Sequence, residues 1–257
     1  MKGVFYEVSK MSERIINTWR DPYDLRFSTC RPKQIAIRSG LTVLVGCNGS
    51  GKTTLINNIE SELKKNNIPC YYYSNLRDGG PSKSLSNAIS ENNLSLAAMA
   101  WSSSEGENIT INLNNRYSQF QEFMTTGRVQ TRFTRLQDAF GDTPYQIPET
   151  KERWILFDAI DSGYSIDNVI DLKNSISEMI RHFSDNGYEL YVVVSANEFE
   201  LAYQTPCMDV TNGKYMTFDT YDQFKKFIVA SAKKKHKRDE RVMEKNKDRD
   251  WDDYDEW

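Results

Sequence analysis

The chain has 257 residues, 39% of them hydrophobic and 12% aromatic, enough to bury the core of one large α/β domain or two small ones. A formal net charge of −3 excludes a globally basic, nucleic-acid-coating protein, so any basic surface has to be local. No apolar run approaches the ~20 residues that span a bilayer, and an N-terminus charged at Lys2, Glu7 and Lys10 lacks the apolar segment of a signal peptide.

Taken in order, residues 4–8 alternate weakly and predict an edge strand, and residues 25–28 and 34–37 predict two short strands. Residues 41–45 are a β-branched and apolar run, the mark of a buried strand. A glycine-rich turn follows, then a helix with Leu55, Ile56, Ile59 and Leu63 at helical spacing. Residues 69–74 predict a second buried strand, and residues 78–81 a loop. Residues 83–101 are helical in period, ending at Ser102-Ser103-Ser104-Glu105-Gly106-Glu107. A further helix begins near Asn108 with Leu113, Tyr117, Phe120 and Met124 on one face. Arg128, Arg132 and Arg135 come next, spaced to lie along one side of a helix.

Residues 141–151 read as a loop and residues 153–158 as a buried strand ending in an acid, Asp158. Residues 166–183 form an amphipathic helix with His182 off its apolar stripe. Residues 188–195 are a fully apolar strand. Asn212-Gly213 predicts a hairpin over 209–218, and a helix starts at Tyr221. Beyond position 232 the character changes: Lys233, Lys234, Lys235, Lys237 and Arg238 form a basic block, and residues 250–257 are acidic and aromatic. The expected organisation is one domain over 1–232, with a helical subregion at 83–150, and a charged tail over 233–257 that frays into disorder. Alternating strands and helices imply a mostly parallel sheet covered on both faces. Cys30, Cys47, Cys70 and Cys207 lie far apart without metal or disulfide spacing, which fits a reducing, cytoplasmic setting.

Gly46 to Thr53 matches G-x-x-x-x-G-K-[ST], the phosphate-binding P-loop, between a predicted strand and a predicted helix. Backbone N–H groups wrap around phosphate oxygens only where no Cβ obstructs them, hence Gly46, Gly49 and Gly51. The helix N-terminus adds a favourable field for an anion. Lys52 is placed to reach the β- and γ-phosphates, the Thr53 hydroxyl to bind Mg²⁺, and Asn48, Ser50 and Thr54 to complete the cradle. Such a loop needs an acid at the end of a neighbouring strand to hold the metal, and Asp158 fits.

The asparagine in Gly46-Cys47-Asn48-Gly49-Ser50-Gly51-Lys52-Thr53, with Asp158-Ala159-Ile160-Asp161-Ser162-Gly163-Tyr164, resembles the ABC-type ATPase superfamily. The likeness is greatest to its soluble SMC-like and RecF-like branch, here without a coiled-coil arm. It covers roughly residues 25–225 and implies a P-loop NTPase of ABC-ATPase-like α/β fold, with an N-terminal β portion and a helical signature region. It also implies ATP and Mg²⁺ as ligands, Ser162-Gly163-Tyr164 as a loop crossing a dimer interface, and a homodimer closed by ATP.

Two departures stand out. The family's catalytic glutamate falls at Ala159 and its switch histidine at Ala196-Asn197, which predicts slow hydrolysis. Asp161 is the nearest substitute base, with Glu198 weaker. The signature that meets the partner's γ-phosphate is assigned to Ser104 and Gly106, about twice as far from Asp158 as is usual; Thr126-Gly127-Arg128 is the weaker alternative. Three other readings stand beside this one. They are a scaffold or regulatory subunit that binds ATP without hydrolysis, a nucleotide or polynucleotide kinase, and a transporter's nucleotide-binding subunit. A protein or nucleic-acid partner would be read by the Arg128–Arg135 face or by the tail.

Overall fold

The computed structural model describes residues 12–19, 31–74, 117–129, 132–140 and 145–246. The expectations for residues 4–8, 25–28, 78–81 and 83–107, and for the acidic end of the chain, lie outside these. In chain order the described elements are β1 (Glu13–Asn17), β2 (Gln34–Arg38), β3 (Gly40–Val45), α1 (Lys52–Lys65), β4 (Cys70–Ser74), α2 (Tyr117–Thr126) and α3 (Arg132–Phe140). There follow β5 (Glu152–Asp158), α4 (Ile166–Asp185), β6 (Glu189–Ser195), α5 (Phe199–Ala202), β7 (Cys207–Asp209), β8 (Tyr215–Met216) and α6 (Tyr221–Asn246).

Six strands form one sheet in the order β4-β5-β6-β3-β7-β8, parallel throughout except for the β7–β8 hairpin. The fold is therefore α/β, a mostly parallel sheet flanked by helices. Each central strand buries both faces, because side chains alternate across the pleat. Val43, Val45, Ile155, Phe157, Val192 and Val194 enter one core with α2, α4 and Phe224 at the start of α6. Leu44, Trp154, Leu156, Tyr191 and Val193 enter a second core under α1 and the β1–β2 pair. There the Trp154 and Tyr191 rings stack with centroids 4.3 Å apart. On α4, Val169, Leu172, Ile176 and Ile180 are buried, each contributing up to about 1.5–3 kcal/mol.

β1 has no counterpart among the predicted strands. It pairs antiparallel with β2, Ile16 opposite Ile35, as a separate two-stranded sheet. Tyr215 ties that pair to the large sheet: its hydroxyl accepts from Arg38 N at 3.0 Å and shares a hydrogen bond with Thr42 Oγ1 at 2.9 Å.

Arg128, Arg132 and Arg135 do not share a helix, contrary to their spacing. Gly127, at φ +79°, terminates α2, and its N–H bonds Phe123 O at 2.7 Å. The next helix, α3, begins only at Arg132, so Arg128 lies in the loop before it, where its guanidinium bonds Asp138 and lies 3.7 Å from the centroid of the Tyr145 ring. α6 runs unbroken across position 232 and through the basic block to Asn246.

Candidate functional site

In a parallel sheet all strands end on the same edge, so the loops after β3, β5 and β6 converge there. Leu44 pairs with Ser195, and Phe157 with Val194, which brings the ends of these three strands side by side. The residues that the sequence singles out for chemistry at Gly46–Thr53, Asp158 and Asp161 assemble at this edge.

The loop after β3 turns tightly, with Ser50 N–H bonding Cys47 O at 3.0 Å. Gly49 and Gly51 take positive φ, +69° and +101°. A Cβ on Gly46 would stand 2.5 Å from Ser50 Oγ, and one on Gly51 would stand 2.8 Å from Arg31 Nη1 and 3.0 Å from Trp19 Cη2. Glycine is thus required by close approach as well as by backbone angle. α1 starts at Lys52, immediately after the left-handed Gly51. Lys52 Nζ reaches back across the loop to Gly46 O at 2.9 Å. Burial pushes the pKa of this ammonium below its ordinary value, opposed by the nearby Asp161, Cys47 and Asp158. On the far side of the loop Arg31 bonds Ser50 O and stacks 4.0 Å from the Trp19 ring centroid. Asn48 and Gly49 form the exposed tip, Ser50 is buried beneath it, and Thr54 lies in the first turn of α1.

Thr53 Oγ1 donates to Asp158 Oδ1 at 3.2 Å. The same carboxylate oxygen accepts from Ser195 Oγ at 2.7 Å, and that hydroxyl accepts from Ala159 N–H at 2.7 Å. Asp158 is thereby anchored to the first turn of α1 and to the end of β6. Ser195 is a member of the candidate site that motif reading missed; its only sequence signal is that it ends an apolar strand.

Asp161 turns inward. It is 3% exposed, and its Oδ2 accepts from Asn197 N–H at 2.5 Å and Glu198 N–H at 2.8 Å. Among the described residues Oδ1 has no hydrogen-bond partner. Desolvation raises the Asp161 pKa above the ordinary carboxylate value; the two amides and Lys52 act in the opposite direction. Ala159 is buried at φ +52°, and Ala196 is buried with its N–H on Leu44 O at 3.2 Å. Glu198 and His182 are exposed. Ser104 and Gly106 lie outside the described residues.

Two features come from α6. Ser231 Oγ accepts from Cys47 N–H at 3.2 Å, and Lys235 Nζ donates to Asn48 O at 3.2 Å. Neither was legible as part of the site, because the pairings cross most of the chain.

Among the described residues no helix is long and apolar enough to cross a membrane. No family profile and no curated protein matches the chain. Among solved structures it is similar to an ATP-binding cassette of an ABC transporter in its ADP conformation. The identity is 13%, over 87% of this chain and 99% of that one, with a TM-score of 0.44.

Proposed function

We propose that this chain binds Mg-ATP in the Gly46–Thr53 loop and works as a soluble ABC-type ATPase that hydrolyses slowly, its nucleotide acting as a conformational switch. The observation that carries this reading is the meeting of Thr53 and Asp158 at 3.2 Å beside the half-buried Lys52. An ordinary glycine turn has no use for a hydroxyl, a strand-end carboxylate and a desolvated ammonium in one place. The donor set suits Mg²⁺, which takes few protein oxygens and keeps several waters: the Thr53 hydroxyl and Asp158 would hold it. Lys52 and the loop amides would bind the phosphates, and Ser195 orients Asp158. When bound, the nucleotide supplies the phosphoanhydride that a hydrolysing site cleaves.

Lys52→Ala removes the cation facing the phosphates and is expected to weaken Mg-ATP binding at least tenfold, about 1.4 kcal/mol or more, by calorimetry. Chelation of Mg²⁺ is expected to weaken the wild type as well. Equal affinity in wild type and variant sinks the reading.

With alanine at 159 and 196, kcat is expected to lie far below the ~10 s⁻¹ typical of enzymes. Brisk hydrolysis that Asp161→Asn abolishes would instead make Asp161 the working base. A scaffold or regulatory subunit that binds ATP without cleaving it is the second reading. It is favoured by the burial of Asp161, whose Oδ2 is already held by two backbone amides and whose 3% exposure shuts out bulk water, and tight binding with zero turnover selects it.

The switch is proposed to be a homodimer closed by ATP, the Ser104 and Gly106 segment of one copy meeting the γ-phosphate on the other. Light scattering is expected to show a dimer with Mg-ATP, a monomer with ADP, and no dimer for Ser104→Arg. A wild type that stays monomeric at saturating ATP leaves only closure with a different protein or nucleic-acid partner.

A further inference from the structure

We propose that α6 is a clamp on the P-loop, and that Ser231 and Lys235 are positioning residues that set the loop's affinity for phosphate. This rests on the nucleotide-binding reading given above. Phe224, Ile228, Ser231 and Lys235 follow one another at helical spacing and lie along one face of α6. The lower part of that face is fixed in the core. Phe224 is buried and meets Phe218 edge-to-face at 5.3 Å, and Ile228 packs against the same cluster.

The upper part takes two consecutive groups of the P-loop backbone, the Cys47 N–H and the Asn48 carbonyl. Ser231 is 4% exposed, so the first of these bonds is shielded from water. A Cβ on Gly49 would stand 2.6 Å from Lys235 Nζ, so the glycine leaves room for the lysine too. Within the basic block Lys235 is half-buried, whereas Lys233, Lys234 and Lys237 are exposed.

A glycine-rich loop loses conformational entropy when its amides converge on an anion. Two hydrogen bonds from a helix rooted in the core hold this loop in place beforehand, which raises affinity by preorganisation. Coupling of this kind is reciprocal: if α6 favours phosphate, phosphate favours the docked α6.

The test is calorimetry of Mg-ATP and Mg-ADP binding to the full chain. Ser231→Ala and Lys235→Met are each expected to weaken both nucleotides about three- to tenfold, the worth of one hydrogen bond. Ser231→Thr and Lys235→Arg, which keep the hydroxyl and the donor, are expected to stay within about twofold of wild type. In hydrogen exchange, saturating Mg-ATP is expected to slow the amides of residues 228–238 in the wild type.

Unchanged or tightened binding in both disrupting variants, while Lys52→Ala abolishes it, overturns the clamp alone. So does a Lys235→Met variant that loses ATP but keeps ADP, since that marks direct contact with the terminal phosphate. So does exchange in α6 that ignores nucleotide. A wild type that binds neither nucleotide overturns both the clamp and the reading on which it rests. Lys235 is half-buried, and Lys235→Met keeps the test open if Ser231→Ala fails to fold.

Discussion

Asp161 combines an oxygen held by two amides with one that has no hydrogen-bond partner among the described residues, in a place 3% exposed. Burial raises its pKa in the folded chain above that of the unfolded chain. The folded state therefore favours the protonated carboxyl. Its stabilising contribution is complete below the ordinary carboxylate pKa and is lost as pH rises through the raised one. Asp161→Asn keeps an oxygen for the amides and removes the charge. It is expected to raise Tm at pH 7.5, with the gain shrinking towards pH 4. A variant destabilised equally at both pH values would show that hydrogen-bond geometry, not charge, dominates. Ala159 two residues earlier sits in the left-handed region, where any side chain costs about 1–2 kcal/mol. A glutamate placed there would meet the same backbone strain, so Ala159→Glu is expected to leave stability within about 1 kcal/mol of wild type. The glycine turn at Gly46–Gly51 and the strand-end place of Asp158 were legible because each follows from one contiguous stretch of sequence. The inward turn of Asp161 was not, since it depends on amides of Asn197 and Glu198 that only the β5–β6 pairing brings near.

α1 and α4, the two long helices that follow site-bearing strands, end in the same way. Asn67 N–H bonds Lys64 O at 3.1 Å and Ile68 N–H bonds Leu63 O at 2.9 Å; Gly187 N–H bonds Ser184 O at 2.9 Å and Tyr188 N–H bonds Phe183 O at 3.0 Å. Asn67 and Gly187 both adopt positive φ, +55° and +78°, the geometry of a Schellman cap. A Cβ at Gly187 meets nothing nearer than Lys151 Nζ at 3.5 Å, so only the backbone resists substitution. Gly187→Ala is expected to cost about 1 kcal/mol, and Asn67→Gly to gain about 0.3 kcal/mol in the opposite direction. Urea unfolding with an unchanged slope measures both, and a gain from Gly187→Ala would refute the cap argument.

The strands with long apolar runs and the helices with an apolar stripe were legible for the same reason, since burial imposes their period. β1 was not. Its sequence puts Ile15 and Ile16 side by side between Arg14 and Asn17, Ile15 exposed and Ile16 buried, and its strand identity comes from pairing with β2. The three arginines misled because their spacing is helical while the helix that carries two of them begins only at Arg132, leaving Arg128 in the loop before it.

At the scale of the whole molecule, helix–strand alternation was enough to predict a mostly parallel sheet, but the order β4-β5-β6-β3-β7-β8 was not. Order follows from which apolar faces fit together across the cores, and no local window holds that information. The same limit applies to α6, whose basic residues read as a solvated tail until Ser231 and Lys235 are seen against the loop.

The position of β3 also governs when the protein can begin to work. Gly40 pairs with Tyr191 and Val43 with Cys207, so both strands flanking β3 are translated long after it. At ordinary synthesis rates of 5–20 residues per second, the nascent chain carries a complete P-loop for on the order of ten seconds before either neighbour exists. During that interval the apolar strand has both edges open, like any unpaired template for misassociation. A ribosome stalled before β6 would therefore present the whole Gly46–Thr53 turn beside an apolar strand with both edges open, and the candidate site would assemble late and all at once.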